Sequence, residues 1–262
     1  MLDYHVHTRL CGHASGEVED YIDAAINAGL VEIGFSDHAP LPEKHRSGIT
    51  MSPHETETYL ERLYKMRQVY SDRIEVKIGF EVDFPLCDSF DPAYFDDPRM
   101  DYLVGSCHFI DDWPFDHPDH IDEFSRRDIN QVYERYYSIM GEMVRSGLFQ
   151  VAGHFDLVKK FGHRSTRDFS IIIEDIARIM VKNDMAAEIN TAGLRKPVGE
   201  IYPSENILRM FFDQNVPVTL GSDAHSPGEV AYMFKEALQT LRNAGYRYIS
   251  GFTGKKRYNI PI

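Results

Sequence analysis

Short apolar runs alternate with longer amphipathic segments along this chain, and the spacing of apolar residues differs between the two kinds of segment. The short runs are rich in valine, isoleucine and aromatic residues, which is typical of strands buried on both faces. Seven such strands are predicted, at 3–7, 31–36, 76–80, 102–107, 149–153, 185–190 and 216–221. Since strand alternates with helix along the chain, we expect a parallel sheet covered by helices.

The predicted helices place their apolar residues three and four positions apart, on one face. They cover 17–29, 52–70, 129–145, 170–183, a segment that begins at Ser204, and 226–244. Two of them begin with a capping-box pattern and a proline at the first helical position, at 52–55 and 226–229. The stretch 111–128 contains Pro114 and Pro118, so we predict a long loop there.

Composition narrows the class of protein. A chain of 262 residues that is 43% hydrophobic and 26% charged is typical of a globular protein, and it could hold two small domains or one barrel. We find no repeat or linker, so we expect one domain over 1–262. The net charge of −13 argues against nucleic acid as a partner. Three cysteines without paired spacing, no signal peptide and no membrane span predict a cytoplasmic protein.

Side chains that can bind metal ions lie at or just beyond the C-terminal end of nearly every predicted strand. The strong candidates are seven histidines and two carboxylates: His5, His7, His13, His38, Glu81, His108, His154, Asp223 and His225. In a (β/α) barrel all strand ends open on one face, whereas an open sheet gathers residues from only some strands. The positions therefore favour a TIM-like (β/α)7 barrel with its site at the C-terminal ends of the strands.

Nine candidates exceed the four ligands of a structural zinc site, and they suggest about three ions with open positions for water or substrate. Such clusters suit hydrolysis of phosphate esters. Taken singly, His38 or His154 could instead cap a helix or hold a loop. We expect Cys11 and Cys107 to be structural.

Several motifs, in this order and spacing, resemble the polymerase and histidinol phosphatase (PHP) family. They are HVHT at 5–8, CGH at 11–13, SDH at 36–38, SCHF at 106–109, GHFD at 153–156 and GSDAH at 221–225. Within that family the chain is most similar to histidinol-phosphate phosphatases, through HTRLCGHASG, PFDHPDH, KKFGH and NTAGLRKP. The resemblance implies a distorted seven-stranded (β/α) barrel with a trinuclear metal centre.

The resemblance also implies which residues hold each ion. His5, His7, Glu81 and Asp223 would hold the first ion, Glu81 would bridge to a second ion with His108 and His154, and His13, His38 and His225 would hold the third. Zinc, iron and manganese all occur in the family, and nothing in the sequence selects among these three divalent metals. The oligomeric state is equally open.

We predict a phosphomonoesterase that converts L-histidinol phosphate to L-histidinol in histidine biosynthesis, by in-line attack of a hydroxide that bridges two ions. Glu81 and Asp223 would act in catalysis, with Asp223 or a water as proton source for the leaving group. The expected phosphate-binding residues are Arg195 first, then Lys159, Lys160 and Arg164, each of which could instead be a solvated loop charge. Trp113 could cover the imidazole of the substrate.

Two alternatives stay open. A related phosphoesterase could act on another small phosphate ester or a nucleotide, although the absence of a basic stripe weighs against long nucleic acids. A barrel that binds metal without turnover would have saturated coordination and no entry path. The long loops after the second, third and fourth strands instead favour a substrate pocket.

Overall fold

The computed structural model describes residues 1–262, and for Ser89 its backbone alone. Seven parallel strands form one sheet in the order β1-β2-β3-β4-β7-β8-β9. These strands are β1 (Leu2–Val6), β2 (Glu32–His38), β3 (Glu75–Asp83), β4 (Tyr102–Ser106), β7 (Val151–Ala152), β8 (Ala186–Asn190) and β9 (Val218–Gly221). Two antiparallel hairpins complete the numbering, β5 (Phe109–Ile110) with β6 (Trp113–Pro114), and β10 (Tyr248–Thr253) with β11 (Lys256–Pro261).

The two edge strands of this sheet meet and nearly close it into a barrel. The backbone N–H of His7 donates to the carbonyl of Ala224 at 2.9 Å, and the N–H of Ala224 donates to the carbonyl of His5 at 3.2 Å. These bonds bring the segment after β9 alongside β1, as parallel neighbours. The prediction of a distorted seven-stranded (β/α) barrel is confirmed.

Helices cover the outside of the barrel. They are α1 (Val18–Asn27), α2 (Glu43–Arg46), α3 (Thr56–Val69), α4 (Ile129–Ser146), α5 (Ser170–Lys182), α6 (Glu205–Asp213) and α7 (Phe234–Ala244). The capping box predicted at Ser52 is formed, with the Ser52 N–H donating to the Glu55 carboxylate at 2.8 Å. Gly147 ends α4 in the left-handed conformation (φ 69°), as glycine commonly does. None of the helices in the described chain has the length and apolarity that crossing a membrane requires.

The predicted start of the last helix is wrong. The carboxylate of Glu229 does not cap the N–H of Ser226; it accepts the N–H of His225 at 2.8 Å and lies 3.3 Å from Nε of Arg195. A short 3-10 turn follows Ser226, and α7 begins only after Met233, which has a positive φ of 53°. Partners from the neighbouring loop therefore replace the local capping box.

A β-bulge in β1 decides which side chains face the barrel interior. Asp3 pairs with Ile33 and Val6 with Phe35, so three residue steps in β1 match two in β2. Tyr4 consequently faces inward and stacks on Tyr102, with ring centroids 4.8 Å apart. The alternation restarts after Tyr4, so that His5 and His7 also project inward, toward the C-terminal end of the barrel.

The C-terminal hairpin, β10 with β11, closes the opposite end of the barrel, and the sequence analysis did not predict it. The Phe252 N–H donates to the hydroxyl of Tyr4 at 3.0 Å, and Nζ of Lys77 donates to the hydroxyl of Thr253 at 2.9 Å. The hydroxyl of Thr219 donates to the carbonyl of Ser250 at 2.9 Å. With its N-terminal end covered, the barrel is open only at the C-terminal ends of its strands.

Candidate metal centre

The carboxylate of Glu81, near the end of β3, lies at the middle of the histidine cluster and is 1% exposed. Its Oε2 is 3.2 Å from Nε2 of His5 and 3.6 Å from Nε2 of His7. The same oxygen is 3.1 Å from Nδ1 of His38. Its other oxygen, Oε1, is 2.8 Å from Nε2 of His154 and 3.5 Å from that of His108. Five imidazoles from four different strands or strand ends therefore face one carboxylate.

Asp223 brings a second carboxylate to the cluster from the segment after β9. Its Oδ1 lies 3.3 Å from Nε2 of His7 and 3.9 Å from Nε2 of His5. The backbone of Asp223 has a positive φ of 54°, which turns the chain sharply where the strand ends. The turn also brings His225 against His13 and His7, with ring centroids 4.6 and 4.1 Å apart. All nine predicted ligands thus lie in one cluster.

Several imidazole nitrogens in this cluster are buried without a hydrogen-bond partner. They are Nε2 of His5, both nitrogens of His7, Nδ1 of His38, Nδ1 of His154 and Nε2 of His225. Leaving a buried polar atom unpaired costs about 1–3 kcal/mol, so such atoms are rare unless a ligand uses them. Imidazole and carboxylate donors suit zinc, iron and manganese. The side chains therefore fit bound divalent metal ions.

Four of the histidines are oriented by an acceptor at Nδ1. The pairs are His5 with Oε1 of Glu188 at 2.6 Å, His108 with Oδ1 of Asp83 at 2.8 Å, His13 with the carbonyl of Cys11 at 3.0 Å, and His225 with the carbonyl of Asp223 at 3.1 Å. An imidazole that donates from Nδ1 keeps the lone pair of Nε2 for a metal ion. Asp83, at the end of β3, thus supports His108 without itself being one of the nine predicted ligands.

The potential ligand atoms fall into overlapping groups. Atoms that lie within 4.8 Å of one another come from His5, His7 and Glu81, from His7, His38 and His225, and from His5, His154 and Asp223. Groups that share members are what several neighbouring ions require. Cys11, together with His13 and His225, forms a further group, but burial and the charge of Asp37 raise the pKa of its thiol to about 12.

The charges of the cluster oppose the effect of burial. Burial by itself would raise the pKa of both carboxyl groups, yet the neighbouring imidazoles hold the pKa of Glu81 and of Asp223 well below the ordinary range. Burial would lower the pKa of His108, but Asp83 and Glu81 raise it to about 10. Burial lowers the pKa of His38 well below its ordinary value, because the neighbouring imidazoles of His7 and His108 oppose the raising effect of Glu81. The site therefore keeps two carboxylates ionised at neutral pH.

A cavity of about 460 Å³ opens above the cluster, a size that suits a small molecule. Six of the nine candidate ligands form its floor: His13, His38, Glu81, His108, Asp223 and His225. Its walls carry three cations, Lys160, Arg195 and Lys196, and three acids, Asp83, Asp116 and Glu229. The cavity thus combines a metal-binding floor with charges of both signs around its walls.

Two of the predicted phosphate-binding residues line this cavity. Nη2 of Arg195 donates to the carbonyls of Ser222 and Asp223, each at 3.0 Å, while its buried Nη1 has no partner. Nζ of Lys160 lies 2.9 Å from the carboxylate of Asp116. The backbone bonds hold Arg195 beside Asp223, and its unpaired nitrogen is available to a ligand.

The other three predicted substrate-binding residues lie outside the described lining of the cavity. The ammonium of Lys159 is buried and lies 2.9 Å from each of the carboxylates of Asp156 and Glu200, so it neutralises these acids. Arg164 also pairs with Glu200 and is half-exposed. Trp113 lies beneath the guanidinium of Arg127, 4.4 Å from the ring centroid, and borders a separate surface pocket. These three side chains therefore do not face the cavity above the metal-binding cluster.

Lys196 was missed in the sequence analysis. It lines the cavity, and within the described structure its ammonium has no carboxylate within ion-pairing distance, unlike Lys160 and Arg195. Burial, followed by the like charge of Lys160, lowers its pKa. The signal that could have found it is its place next to Arg195 in the motif NTAGLRKP.

The chain is similar to known proteins in sequence and in fold. Residues 3–192 match the model of the PHP domain family. A protein of Deinococcus radiodurans described as a probable histidinol-phosphatase is 36% identical over 95% of this chain and 96% of its own length. A histidinol-phosphatase of Bacillus subtilis is 29% identical over 90% of this chain and 98% of its own. The crystal structure of a histidinol phosphate phosphatase of Lactococcus lactis, complexed with zinc, L-histidinol and phosphate, has a TM-score of 0.81 at 22% identity, over 98% of both chains.

Proposed function

Because the chain belongs to the PHP domain family, we propose that it is a metal-dependent phosphomonoesterase that hydrolyses L-histidinol phosphate to L-histidinol and phosphate, in histidine biosynthesis. The observation that carries this proposal is the cluster of nine potential metal ligands beneath a cavity with cationic walls. The choice of L-histidinol phosphate as substrate rests on the relatives described as histidinol-phosphatases, because a barrel and a metal centre alone are compatible with many phosphate esters.

The proposal includes three divalent ions, held by the nine residues in the sets that the family resemblance implies. Nine ligands suffice for three ions only if some coordination positions stay open to water or substrate. Bound ions would supply Lewis-acid stabilisation of the phosphoryl oxygens and activation of a water molecule. Zinc is our first candidate, because the Lactococcus lactis protein of the same fold is complexed with zinc.

The two carboxylates act as ionised groups in this proposal. Glu81 faces five imidazoles and would bridge two ions through its two oxygens. Asp223 lines the cavity as an ionised carboxylate, so it has a lone pair with which to take a proton from the attacking water. Its lowered pKa makes it a weak base, so this transfer would depend on the acidity that bound ions give the water. The same carboxyl group can then return that proton to the leaving alkoxide, so that one residue acts first as general base and then as general acid.

The three cavity cations would bind the phosphate group. Arg195 offers the unpaired Nη1, and a guanidinium gives directed hydrogen bonds to phosphate oxygens. Lys196 offers an ammonium without an ion-pair partner, and Lys160 is held close by Asp116. The acids Asp83, Asp116 and Glu229 line the same cavity and suit the cationic amine of histidinol.

We also propose that residues 1–262 form one domain, because the C-terminal hairpin closes the barrel built by the rest of the chain. A cytoplasmic location is part of the proposal. Its support is that Cys11, Cys87 and Cys107 are all free thiols, as expected in a reducing compartment.

The test is phosphate release from a panel of esters by zinc-loaded protein. We expect kcat/KM for L-histidinol phosphate to exceed that for nucleotides and sugar phosphates by at least about 100-fold, because only histidinol phosphate pairs its amine with the cavity acids. Equal rates on all monoesters would refute the assignment of L-histidinol phosphate as the specific substrate and would indicate a general phosphatase. No release from any ester by a zinc-loaded sample would refute the activity itself.

A further inference from the structure

The sixth strand of the barrel, β8, carries none of the nine predicted ligands, yet it sends a buried carboxylate, Glu188, into the cluster. We propose that Glu188 is a positioning residue, which fixes His5 and His154 for metal binding without itself contacting the ions. The inference rests on the metal centre proposed above, and it concerns the chain's own hydrogen bonds around that centre.

Glu188 accepts hydrogen bonds from two predicted ligand residues that belong to different ions. Its Oε1 accepts from Nδ1 of His5 at 2.6 Å. Its Oε2 accepts from the backbone N–H of His154 at 2.7 Å and from Nδ2 of Asn190 at 3.1 Å. Asn190 in turn lies 3.4 Å from Oδ2 of Asp223. One side chain therefore links the residues expected at the first ion to a residue expected at the second.

The backbone N–H of His154 and the amide of Asn190 are both donors to Oε2, and a carboxylate at 188 also accepts from Nδ1 of His5 through Oε1. The His5 bond also selects the tautomer with hydrogen on Nδ1, which leaves the Nε2 lone pair directed at Glu81 and Asp223. Glutamine at 188 would have the same size but would bring an NH₂ group against one of these donors. The substitution E188Q therefore removes the function that we assign while conserving the volume of the side chain.

The neighbouring strand leaves space for this carboxylate. A Cβ placed on Gly221 would lie 2.0 Å from Oε1 of Glu188 and 2.7 Å from Cβ of His5. Both separations are shorter than van der Waals contact, so any side chain at 221 would displace the Glu188 carboxylate or the imidazole of His5. The substitution G221A consequently disturbs the same bond without changing the charge of Glu188.

The test is the zinc affinity of the variants, measured by competition with a chromogenic chelator, with bound zinc counted per chain. E188Q should bind the most weakly held zinc about 10- to 100-fold less tightly than wild type, the range expected for loss of a carboxylate behind a ligating histidine. G221A should change zinc affinity in the same direction. Excess zinc should restore most of the kcat of E188Q, because the ligands themselves are still present.

The matched control is E32Q, which makes the same change at a buried glutamate of β2 that contacts no predicted ligand. E32Q should lower the melting temperature and leave zinc affinity within about twofold of wild type. Wild-type affinity in E188Q, or an equal loss in E188Q and E32Q, would overturn the positioning role while leaving the metal centre intact. A wild-type chain that binds no zinc would overturn the metal centre itself, and this inference with it.

Discussion

At the N-terminal end of the barrel, the buried carboxylate of Glu32 accepts hydrogen bonds from the hydroxyls of Tyr4 and Tyr258. At the C-terminal end, the buried carboxylate of Glu81 faces five imidazoles, four of which have at least one buried nitrogen without a hydrogen-bond partner. Both carboxylates lie on strands of the same sheet, at opposite ends. At the N-terminal end, the protein's own hydroxyl groups satisfy the buried carboxylate. At the C-terminal end, several buried nitrogens have no hydrogen-bond partner within the protein.

This difference separates stability from function within one barrel. A fully paired polar network stabilises the fold, and unpaired buried nitrogens destabilise it unless a ligand binds them. In barrels of this class the N-terminal face generally serves stability and the C-terminal face carries the site. Substitutions at the two ends should therefore have separable effects on unfolding and on metal binding.

The largest effect is expected at Glu81. Replacement by alanine removes the carboxylate that five imidazoles share, so E81A should lose bound metal and at least about 10³-fold of kcat/KM together. Metal content and phosphate release measured on the same sample check this. The control is E75A, an exposed glutamate of the same strand, which should retain both. Full metal content in E81A would contradict the bridging role.

At the opposite end, Asp101 should matter for stability alone. Its carboxylate pairs with Arg67 and accepts the backbone N–H groups of Ile78 at 3.0 Å and Gly254 at 3.2 Å. D101A should lower the free energy of unfolding by about 3 kcal/mol, because two backbone N–H groups and the partly buried guanidinium of Arg67 lose their acceptor. Urea unfolding measures this, with D72A on an exposed turn as the control. A loss of zinc affinity in D101A would show that the two ends are coupled.

A smaller effect is expected at Lys196. K196A should raise KM for the phosphate ester about 10-fold, since one charged contact to phosphate is lost. R164A is the matched control, because Arg164 pairs with Glu200 outside the cavity. Steady-state kinetics at saturating zinc distinguish the two. A larger rise in KM for R164A than for K196A would favour the assignment made from sequence over the one made from the cavity.

The smallest effect concerns alkaline pH. Because burial and Lys160 lower the pKa of Lys196 from its ordinary 10.5, its positive charge is present at neutral pH and is lost as pH rises through the lowered value. KM should accordingly rise about threefold near pH 10 in the wild type. In K196R the guanidinium stays charged, so KM should stay level over the same range. Identical pH profiles for the two proteins would exclude Lys196 as the titrating group.

Local patterns were sufficient for most of the barrel. The seven strands, the cap at Ser52 and the end of α4 at Gly147 follow from periodicity and capping, which depend on residues close together in the chain. The same patterns failed at Ser226, where Glu229 finds its partners in His225 and Arg195 instead. They also gave no warning of the bulge in β1, because a bulge is defined by the register of two strands.

The lysines near the site also show that local sequence does not specify which partners a side chain meets in the fold. Lys159 lies five residues after His154 and Lys196 directly follows Arg195, and neither local sequence shows which acids the fold brings beside the ammonium. The structure separates them because Asp156, three residues earlier, and Glu200, from a distant segment, both pair with Lys159, while Lys196 faces the cavity. A lysine's role depends on which acids the fold brings beside it, and Glu200 lies 41 residues from Lys159 in the sequence.

The sequence by itself determined where the strands lie along the chain and which metal-binding side chains stand at their ends, since both are properties of short segments. Only the tertiary structure decided how those donors are oriented. The tautomer of His5 depends on Glu188, and that of His108 depends on Asp83, each on another strand. Hydrogen bonds between side chains on different strands exist only after the sheet closes, and no local pattern specifies them.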